Sequence, residues 1–287
     1  MKILVIGQSV IDNINTPTLR IIQAGGIFYT ILGFNTIVQP SDEIYLVTSV
    51  EKNSYKYFKE EYDKVNKKYL IWSDLIPTVT LNIYKDKERD EQYSIINSSL
   101  FVKYDELKNF DAILLNMITG FDITLNQLKN IRSNFNGPIY LDVHSMARRV
   151  GENMKREFRT ISDFSEWAEN VDVIQANEEE FNCLTDKDNI PKYILDKGTK
   201  YLIKTMGNKG TRVYMKDGEE IKSIFISANK IEEGATVGCG DIFGSVFFYN
   251  YIKGENFNNI IFKSNKAGAF AASCDNVKEM KKFNDEY

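Results

Sequence analysis

The sequence predicts an α/β fold of the doubly wound class, in which a mainly parallel sheet is flanked by helices. Two observations favour this class. Short apolar runs typical of buried strands recur along the chain, at Ile3–Gly7, Ile44–Ser49, Ala112–Asn116, Ile139–Val143, Val171–Ala176 and Tyr201–Thr205. Amphipathic stretches of helical length lie between several of these runs, at Gly26–Leu32, Tyr55–Val65, Thr124–Ile131 and Glu178–Leu184. Strands joined through helices imply right-handed crossovers and parallel pairing.

Two stretches, at about residues 10–24 and 77–100, interrupt this alternation. In the second stretch, Thr78–Tyr84 alternates between polar and apolar residues, and Lys85–Glu88 supplies a polar turn. Arg89–Ile96 then returns as another extended segment, which completes the pattern of a β-hairpin. We interpret these excursions as a small β lid over the site or a dimerisation flap. The alternative is an edge hairpin that only extends the sheet.

Length and composition limit the classes of function. No repeat, low-complexity tract or linker divides the sequence, so we treat residues 1–287 as a single domain that carries the lid. A net charge of −4 gives no basic surface for nucleic acid and no reason to expect an anionic membrane as partner. Three cysteines lack metal-ligand spacing, and their odd number argues against a disulfide framework. We therefore expect a cytoplasmic protein.

The most informative segment is Gly238-Cys239-Gly240-Asp241, which is followed directly by the apolar run Ile242–Ile252. The run predicts a buried helix, so the glycines would expose backbone N–H groups at the positive end of its dipole. Such a loop favours a bound phosphate. A carboxylate fits there if Asp241 faces the nucleophile that attacks the phosphate, which suggests phosphoryl transfer to a hydroxyl. The alternative is a tight turn in which Asp241 only caps the helix.

Other polar residues and glycines follow the predicted strands, and ligands of open α/β sheets bind where the strands end. Together these segments resemble, in the same order, the motifs of the ribokinase-like (PfkB) family of carbohydrate and nucleoside kinases. The matching segments are Gly7…Asp12, Gly25-Gly26, Asn177–Glu180, Thr205–Gly210, Gly238–Asp241 and the small-residue helix Lys266–Ala272. The resemblance is most specific at Gly238–Asp241, where Cys239 replaces the alanine of the family's Gly-Ala-Gly-Asp motif.

The resemblance implies an enzyme that uses ATP and Mg²⁺. Asp241 would accept the proton of the attacking hydroxyl, and Gly238, Cys239 and Gly240 would form the anion hole for the transferred phosphoryl group. Asn177 and Glu180 would organise Mg²⁺ through its water molecules, which this cation prefers to keep. The alternative for Glu180 is an exposed helix acid beside two other glutamates.

The resemblance also implies where the substrate lies, which would be a small sugar, polyol or nucleoside. Asp12 would bind the hydroxyls of the substrate; the alternative for Asp12 is a turn cap. Gly25 and Gly26 would allow the start of a helix to lie close to the substrate. Tyr29 or Thr30 lies where the family often has asparagine. Arg89 would reach the substrate from the lid, or it would be a solvated turn charge.

For the nucleotide, the resemblance implies a turn after the strand Tyr201–Thr205. Thr205, Gly207 and Gly210 would form this turn, and Asn265 would lie beside the adenine. An ordinary hairpin and close helix packing are the alternative explanations. His144, the single histidine, follows the end of another predicted strand. It would either contact the substrate or nucleotide, or be a structural residue whose hydrogen bonds are satisfied within the protein.

Other classes of function fit less well. Gly7 is followed by Gln8-Ser9-Val10 rather than by the Gly-x-Gly-x-x-Gly of dinucleotide-dependent dehydrogenases, and the sequence has no Walker loop. A kinase-fold binding or regulatory protein without turnover is the alternative. The retained Asp241 and loop glycines argue for an active enzyme.

The sequence also predicts that the protein forms a homodimer through the β lid.

Overall fold

The computed structural model describes residues 1–84, 90–228, 237–274 and 276–285. Within these ranges, the strands are β1 (Lys2–Ile6), β2 (Ser9–Asn15), β3 (Arg20–Gly26), β4 (Glu43–Glu51), β5 (Leu70–Ser73), β6 (Thr78–Asn82), β7 (Asp90–Ile95), β8 (Ala112–Asn116), β9 (Ile139–Asp142), β10 (Arg148–Val150), β11 (Arg156–Phe158), β12 (Val173–Asn177), β13 (Tyr201–Thr205), β14 (Thr211–Asp217) and β15 (Glu220–Ile226). The α-helices are α1 (Ile27–Ile37), α2 (Tyr55–Tyr62), α3 (Leu125–Asn134), α4 (Phe164–Ala168), α5 (Glu178–Asn182), α6 (Ile190–Leu195), α7 (Cys239–Ile252), α8 (Phe257–Ser273) and α9 (Val277–Met280).

The central sheet has the strand order β15–β14–β13–β12–β9–β8–β1–β4–β5. The strands from β13 to β5 pair in parallel, and β14 and β15 add an antiparallel edge. The predicted mainly parallel sheet with flanking helices is confirmed. The sequence patterns did not indicate β5 and β15, because both are short or half-exposed edge strands: Trp72 in β5 is 52% exposed.

Helices cover both faces of the central sheet, and alternate side chains of β1 enter two different cores. Ile3 and Val5 belong to the core that α1, α2, α7 and α8 cover, whereas Leu4 and Ile6 belong to the core under α3, α4, α5 and α6. Alternation of this kind follows from the period of two residues along a strand. None of the described helices is both long enough and apolar enough to cross a membrane.

The two predicted excursions meet in one small sheet, which we call the lid. Its strand order is β3–β2–β6–β7, with β2 parallel to β6 and antiparallel to β3. Hydrogen bonds between β2 and β6 therefore join segments that lie more than 60 residues apart, such as Ile11 and Thr78. The lid connects to the main body through Gly26, which ends β3 and directly precedes α1. Whether the lid also forms a dimer interface stays a prediction.

The helix α7 is more extensive than the sequence predicts. It begins at Cys239, three residues before the predicted start at Ile242, because Gly238 with φ of 84° serves as its N-cap. Its residues Ile242–Asn250 are buried in succession on all sides, between the sheet, α1 and α8. The strand β12 runs from Val173 to Asn177 rather than from Val171 to Ala176, a shift typical of predicted element boundaries.

The buried face of α7 yields a test of the fold. Phe248 is fully buried and its ring centroid lies 5.3 Å from that of Tyr140. We expect Phe248→Ala to lower the free energy of unfolding by about 3–5 kcal/mol, because it leaves a cavity in the core. Phe262→Ala on α8, where Phe262 is 54% exposed, is the matched control and should cost less than about 1 kcal/mol. Urea denaturation measures both, and equal losses would contradict this packing.

Candidate active site

A cavity lies between the lid and the N-terminus of α7. Its lining consists of Val10, Asp12, Gly26, Tyr29, Val79, Leu81, Glu91, Tyr93, Ile118, His144, Val237, Gly238 and Asp241. This set includes a carboxylate from the lid, Asp12, and the carboxylate at the start of α7, Asp241. The cavity thus brings together residues that the sequence predicts for substrate binding and residues that it predicts for catalysis.

The Asp241 carboxylate is buried and is held by two polar side chains. Asn116 Nδ2 donates a hydrogen bond to Asp241 Oδ1 at 2.6 Å, and Thr30 Oγ1 donates to the same oxygen at 3.4 Å. Asn116 Nδ2 also lies 3.1 Å from Thr30 Oγ1, so its two hydrogens serve both neighbours. Sequence reasoning missed Asn116, although a polar residue that closes an apolar strand was a usable signal.

The glycines before Asp241 lie in the turn that begins α7, and we call Gly238–Gly240 the anion turn after the role that the sequence predicts for it. The first hydrogen bond within α7 runs from Ile242 N to Gly238 O at 3.0 Å, so the N–H groups of the preceding turn are not used by the helix itself. A Cβ at Gly238 would lie 2.3 Å from the Tyr29 ring. Only glycine fits there, because its φ is positive as well. These N–H groups and the helix dipole suit a phosphoryl group.

A row of polar side chains crosses three neighbouring strands below this turn. Asn116 on β8 pairs in register with Asp142 on β9, which pairs with Gln175 on β12. Gln175 Nε2 donates to Asp142 Oδ2 and to the Gly240 carbonyl, each at 3.0 Å. Gln175 Oε1 accepts a hydrogen bond from Tyr140 Oη. Gln175 therefore fixes the backbone of the anion turn to the sheet, a role that the sequence did not reveal.

Asp142 is a buried acid in a strongly acidic neighbourhood. Burial raises the pKa of its carboxyl well above the ordinary value, and the negative charges of Asp241 and Glu180 raise this pKa further. A hydrogen bond from the His144 backbone acts in the opposite direction. His144 itself lines the cavity with a left-handed backbone, at φ of 37°, which is rare for a residue other than glycine.

Asp12 lies in the strand β2 and not in a turn, so the interpretation as a turn cap is wrong. A Cβ at Gly25 would lie 2.2 Å from the Asp12 carboxylate, so Gly25 leaves room for that side chain. Tyr29 Oη accepts a hydrogen bond from Gln23 Nε2 at 2.6 Å. Burial raises the pKa of the Tyr29 hydroxyl well above its ordinary value, and the charges of Asp12 and Asp241 raise it further.

Asn177 and Glu180 form a capping box at the start of α5. Asn177 Oδ1 accepts from Glu180 N at 2.9 Å, and Glu180 carboxylate oxygens accept from the Asn177 backbone and side-chain N–H groups at 2.9 and 2.8 Å. Asn177 is also the register partner of Thr205 on β13. Within the described ranges, no three acidic, histidine or cysteine side chains are grouped to hold a metal directly.

The residues predicted to bind the nucleotide do not line the cavity that contains Asp12 and Asp241. They lie in and behind the turn from β13 to β14. Gly207 is exposed at the tip of this turn and Gly210 is buried at its base. Asn265 on α8 is engaged in packing: its Oδ1 accepts from Thr211 Oγ1 at 2.6 Å, and its Nδ2 donates to Ile226 O at 3.1 Å. A contact between Asn265 and adenine stays a prediction.

One predicted substrate residue, Arg89, lies outside the described residues. The neighbouring lid strand β7 supplies Glu91 and Tyr93 to the cavity instead. Tyr93 Oη donates to the Ile118 carbonyl at 3.1 Å. Sequence reasoning did not single out Glu91, because an acid in a lid strand resembles any solvated charge.

The chain was compared with known protein families, with curated proteins and with solved structures. The model of the pfkB family carbohydrate kinases matches residues 128–282. The search of curated proteins found no match. The chain is similar to the solved structure of ribokinase from Thermotoga maritima, with a TM-score of 0.72, 18% identity and 99% of each chain covered.

Two other solved structures contain ligands. The first is Arabidopsis thaliana ribokinase complexed with ribose and ATP, with a TM-score of 0.73, 15% identity, and 99% of this chain and 97% of that chain covered. The second is a pyrophosphate-dependent kinase in the ribokinase family complexed with a pyrophosphate analog and myo-inositol, with a TM-score of 0.76, 14% identity and 95% of each chain covered. At these identities the likeness shows the fold.

The buried carboxyl of Asp142 makes stability depend on pH. Its pKa is raised above the ordinary 3.8 in the folded protein, so folding binds a proton above that pH and stability falls as the pH rises. Asp142→Asn keeps an acceptor for Gln175 but carries no charge. We therefore expect Asp142→Asn to raise the melting temperature at pH 7–8, with the gain disappearing below about pH 4. The exposed Asp105→Asn is the control, and a gain that does not depend on pH would contradict this electrostatic cause.

Proposed function

The chain belongs to the pfkB family of carbohydrate kinases, and from this premise we propose that it transfers the γ-phosphoryl group of ATP to a hydroxyl of a small sugar, polyol or nucleoside. One observation above all supports this proposal. The Asp241 carboxylate lies at the start of a helix, beside an anion turn, and in the same cavity as the Asp12 carboxylate. A hydroxyl held by Asp12 can therefore face a base and a phosphoryl group together.

Asp241 would accept the proton of the attacking hydroxyl. Because phosphoryl transfer has a loose transition state, its rate depends mainly on positioning and charge stabilisation, and a weak base is sufficient. The hydrogen bonds from Asn116 and Thr30 orient this carboxylate. Both donors lie on elements of the main body, the end of β8 and the first turn of α1, so the carboxylate does not depend on the lid for its position.

The phosphoryl group would lie on the N–H groups of the Gly238–Gly240 turn. Gln175 Nε2 donates a hydrogen bond to the Gly240 carbonyl and thereby attaches this turn to the sheet. Backbone N–H groups at a helix start are suitable hydrogen-bond donors for the phosphate chain of ATP. The exposed turn at Gly207 is a suitable surface for the rest of the nucleotide. Asn177 and Glu180 would hold water molecules of Mg²⁺. When bound, Mg²⁺ neutralises the charge on the phosphates.

The test is product release across a panel of sugars, polyols and nucleosides, with Mg-ATP and with pyrophosphate as donors. We expect turnover with Mg-ATP on at least one acceptor, and Asp241→Asn should lower kcat by about 100-fold or more, as expected for a lost general base. The melting temperature of the variant should stay close to that of the native protein. Acceptor binding without turnover, unaffected by Asp241→Asn, would instead identify a binding protein, and turnover with pyrophosphate alone would exclude ATP as the donor.

The role of Asn116 gives a separate prediction. Asn116→Ala removes the hydrogen bond to Asp241 Oδ1, which is a bond to a charged group, so we expect kcat to fall by about 10–100-fold with little change in KM. The matched control is Asn15→Ala, which removes an amide that pairs with Asn82 in the lid. An equal loss in both variants, or a change in KM alone, would refute the positioning role of Asn116.

A further inference from the structure

The lid forms one wall of the substrate cavity, and most of that wall is apolar. The lid side chains that line the cavity are Val10, Asp12, Val79, Leu81, Glu91 and Tyr93. On β6 and β7 buried residues alternate with more exposed ones, so the buried members of both strands turn to the same side. The two acids are thus a minority on a surface of hydrocarbon and aromatic side chains, which we call the lid wall.

Most polar groups of the lid wall already have partners within the protein. Glu91 Oε1 lies 3.5 Å from Arg148 Nη1, and both side chains are buried. Tyr93 Oη donates a hydrogen bond to the Ile118 carbonyl at 3.1 Å, so this residue presents its ring to the cavity rather than its hydroxyl. Among the described residues of the lid wall, Asp12 is therefore the side chain that we expect to bind substrate hydroxyls.

The strand register places Asp12 directly beside the apolar residues. Asp12 on β2 is the register partner of Val79 on β6, and Val79 is the partner of Tyr93 on β7. Side chains of register partners lie on the same face of a sheet. The carbons next to a hydroxyl at Asp12 would therefore lie over Val79 and Tyr93. A further hydroxyl over these side chains would lose its hydrogen bonds to water and gain no partner, which is costly.

The opposite wall, which belongs to the main body, contains the other polar groups. It presents the Asp241 carboxylate and the backbone of Gly238 at the start of α7. His144 also lines the cavity, and its Nδ1 lies 3.0 Å from Ser145 Oγ. The cavity thus has polar groups at Asp12 and along the main body, and an apolar surface along the rest of the lid wall.

We propose that the acceptor is a partly deoxygenated sugar or cyclitol, with hydroxyls along one edge and a hydrocarbon face that packs on the lid wall. Asp12 would hold one hydroxyl while a neighbouring hydroxyl lies at Asp241, and Val79, Leu81 and Tyr93 would contact the face that lacks hydroxyls. These apolar residues would then select against fully hydroxylated compounds. This inference rests on the proposed function for the role of Asp241, but the preference can be measured as binding without turnover.

The experiment uses pairs of compounds in which one member has fewer hydroxyls. The pairs are L-rhamnose with L-mannose, 2-deoxy-D-glucose with D-glucose, and cis-1,2-cyclohexanediol with myo-inositol. Calorimetry measures binding to the full chain without a phosphoryl donor, and kcat/KM is measured with Mg-ATP. In at least one pair we expect the deoxygenated member to bind about tenfold more tightly or better, because its partner buries an unpaired hydroxyl. Equal binding within every pair, tighter binding of the hydroxylated members, or no binding at all overturns the proposal.

Variants test whether the lid wall causes the preference. Val79→Thr keeps the shape of the side chain but adds a hydroxyl, so the preference for the deoxygenated member should fall by about tenfold. Val102→Thr is the matched control and should leave the preference unchanged, because Val102 is buried in the core on the other face of the central sheet. Should Val79→Thr fail to fold, Leu81→Asn replaces it with the same expectation. An unchanged preference in the lid variant overturns the role of this wall.

The outcomes separate the two proposals. Binding that favours deoxygenated compounds and depends on Val79, without any phosphoryl transfer, would support the lid wall and refute the kinase activity. Turnover of fully hydroxylated sugars or polyols at least as fast as of their deoxygenated partners would support the kinase activity and refute the selection by the lid wall.

Discussion

The packing of α1 against α7 is the constraint on which the site depends. Ser245 Oγ lies 2.8 Å from both the Thr30 and the Asp241 carbonyl oxygens, so one hydroxyl joins the first turns of the two helices. The helix α1 follows the lid directly, and α7 follows the anion turn. Because both helix starts are fixed side by side, the lid residues and the anion turn face each other. The burial of α7 on all sides makes this arrangement rigid.

The sheet contributes the second part of the site through register. Asn116, Asp142 and Gln175 are partners across three adjacent parallel strands, and each lies at or near the carboxyl end of its strand. Parallel pairing aligns these ends at one edge, so residues far apart in sequence form a polar row. One end of this row holds the Asp241 carboxylate and the other holds the Gly240 carbonyl. Asp241, the proposed base, and the turn that precedes it are therefore attached to the same strands of the sheet.

Local motifs and long-range contacts both build the site, and this difference explains how much of the fold and the site could be predicted from the sequence. Local motifs indicated Asp241 and the glycines before it, and alternating apolar runs indicated the parallel strands of the sheet interior. The roles of the supporting residues could not be predicted, because they arise from long-range contacts: Asn116 carried a signal as a polar residue at a strand end, but its partner Asp241 lies 125 residues away. Gln175 lies inside an apolar run and gives no sign of the Gly240 carbonyl that it binds. Asp12 was assigned to the site although its place in a strand was not predicted.

The charge distribution around the base links these elements to chemistry. Asp12, Glu91 and Asp241 line one cavity. Asp142 lies near Asp241 and Glu180, and the negative charges of these two residues act on it. Carboxylates gathered in this way repel each other unless protons, cations or N–H dipoles compensate them. Burial raises the pKa of the Asp142 carboxyl well above its ordinary value, and the charges of Asp241 and Glu180 raise it further. The helix start and the Asn116 amide direct N–H dipoles at Asp241, which suits the role of proton acceptor proposed for this carboxylate.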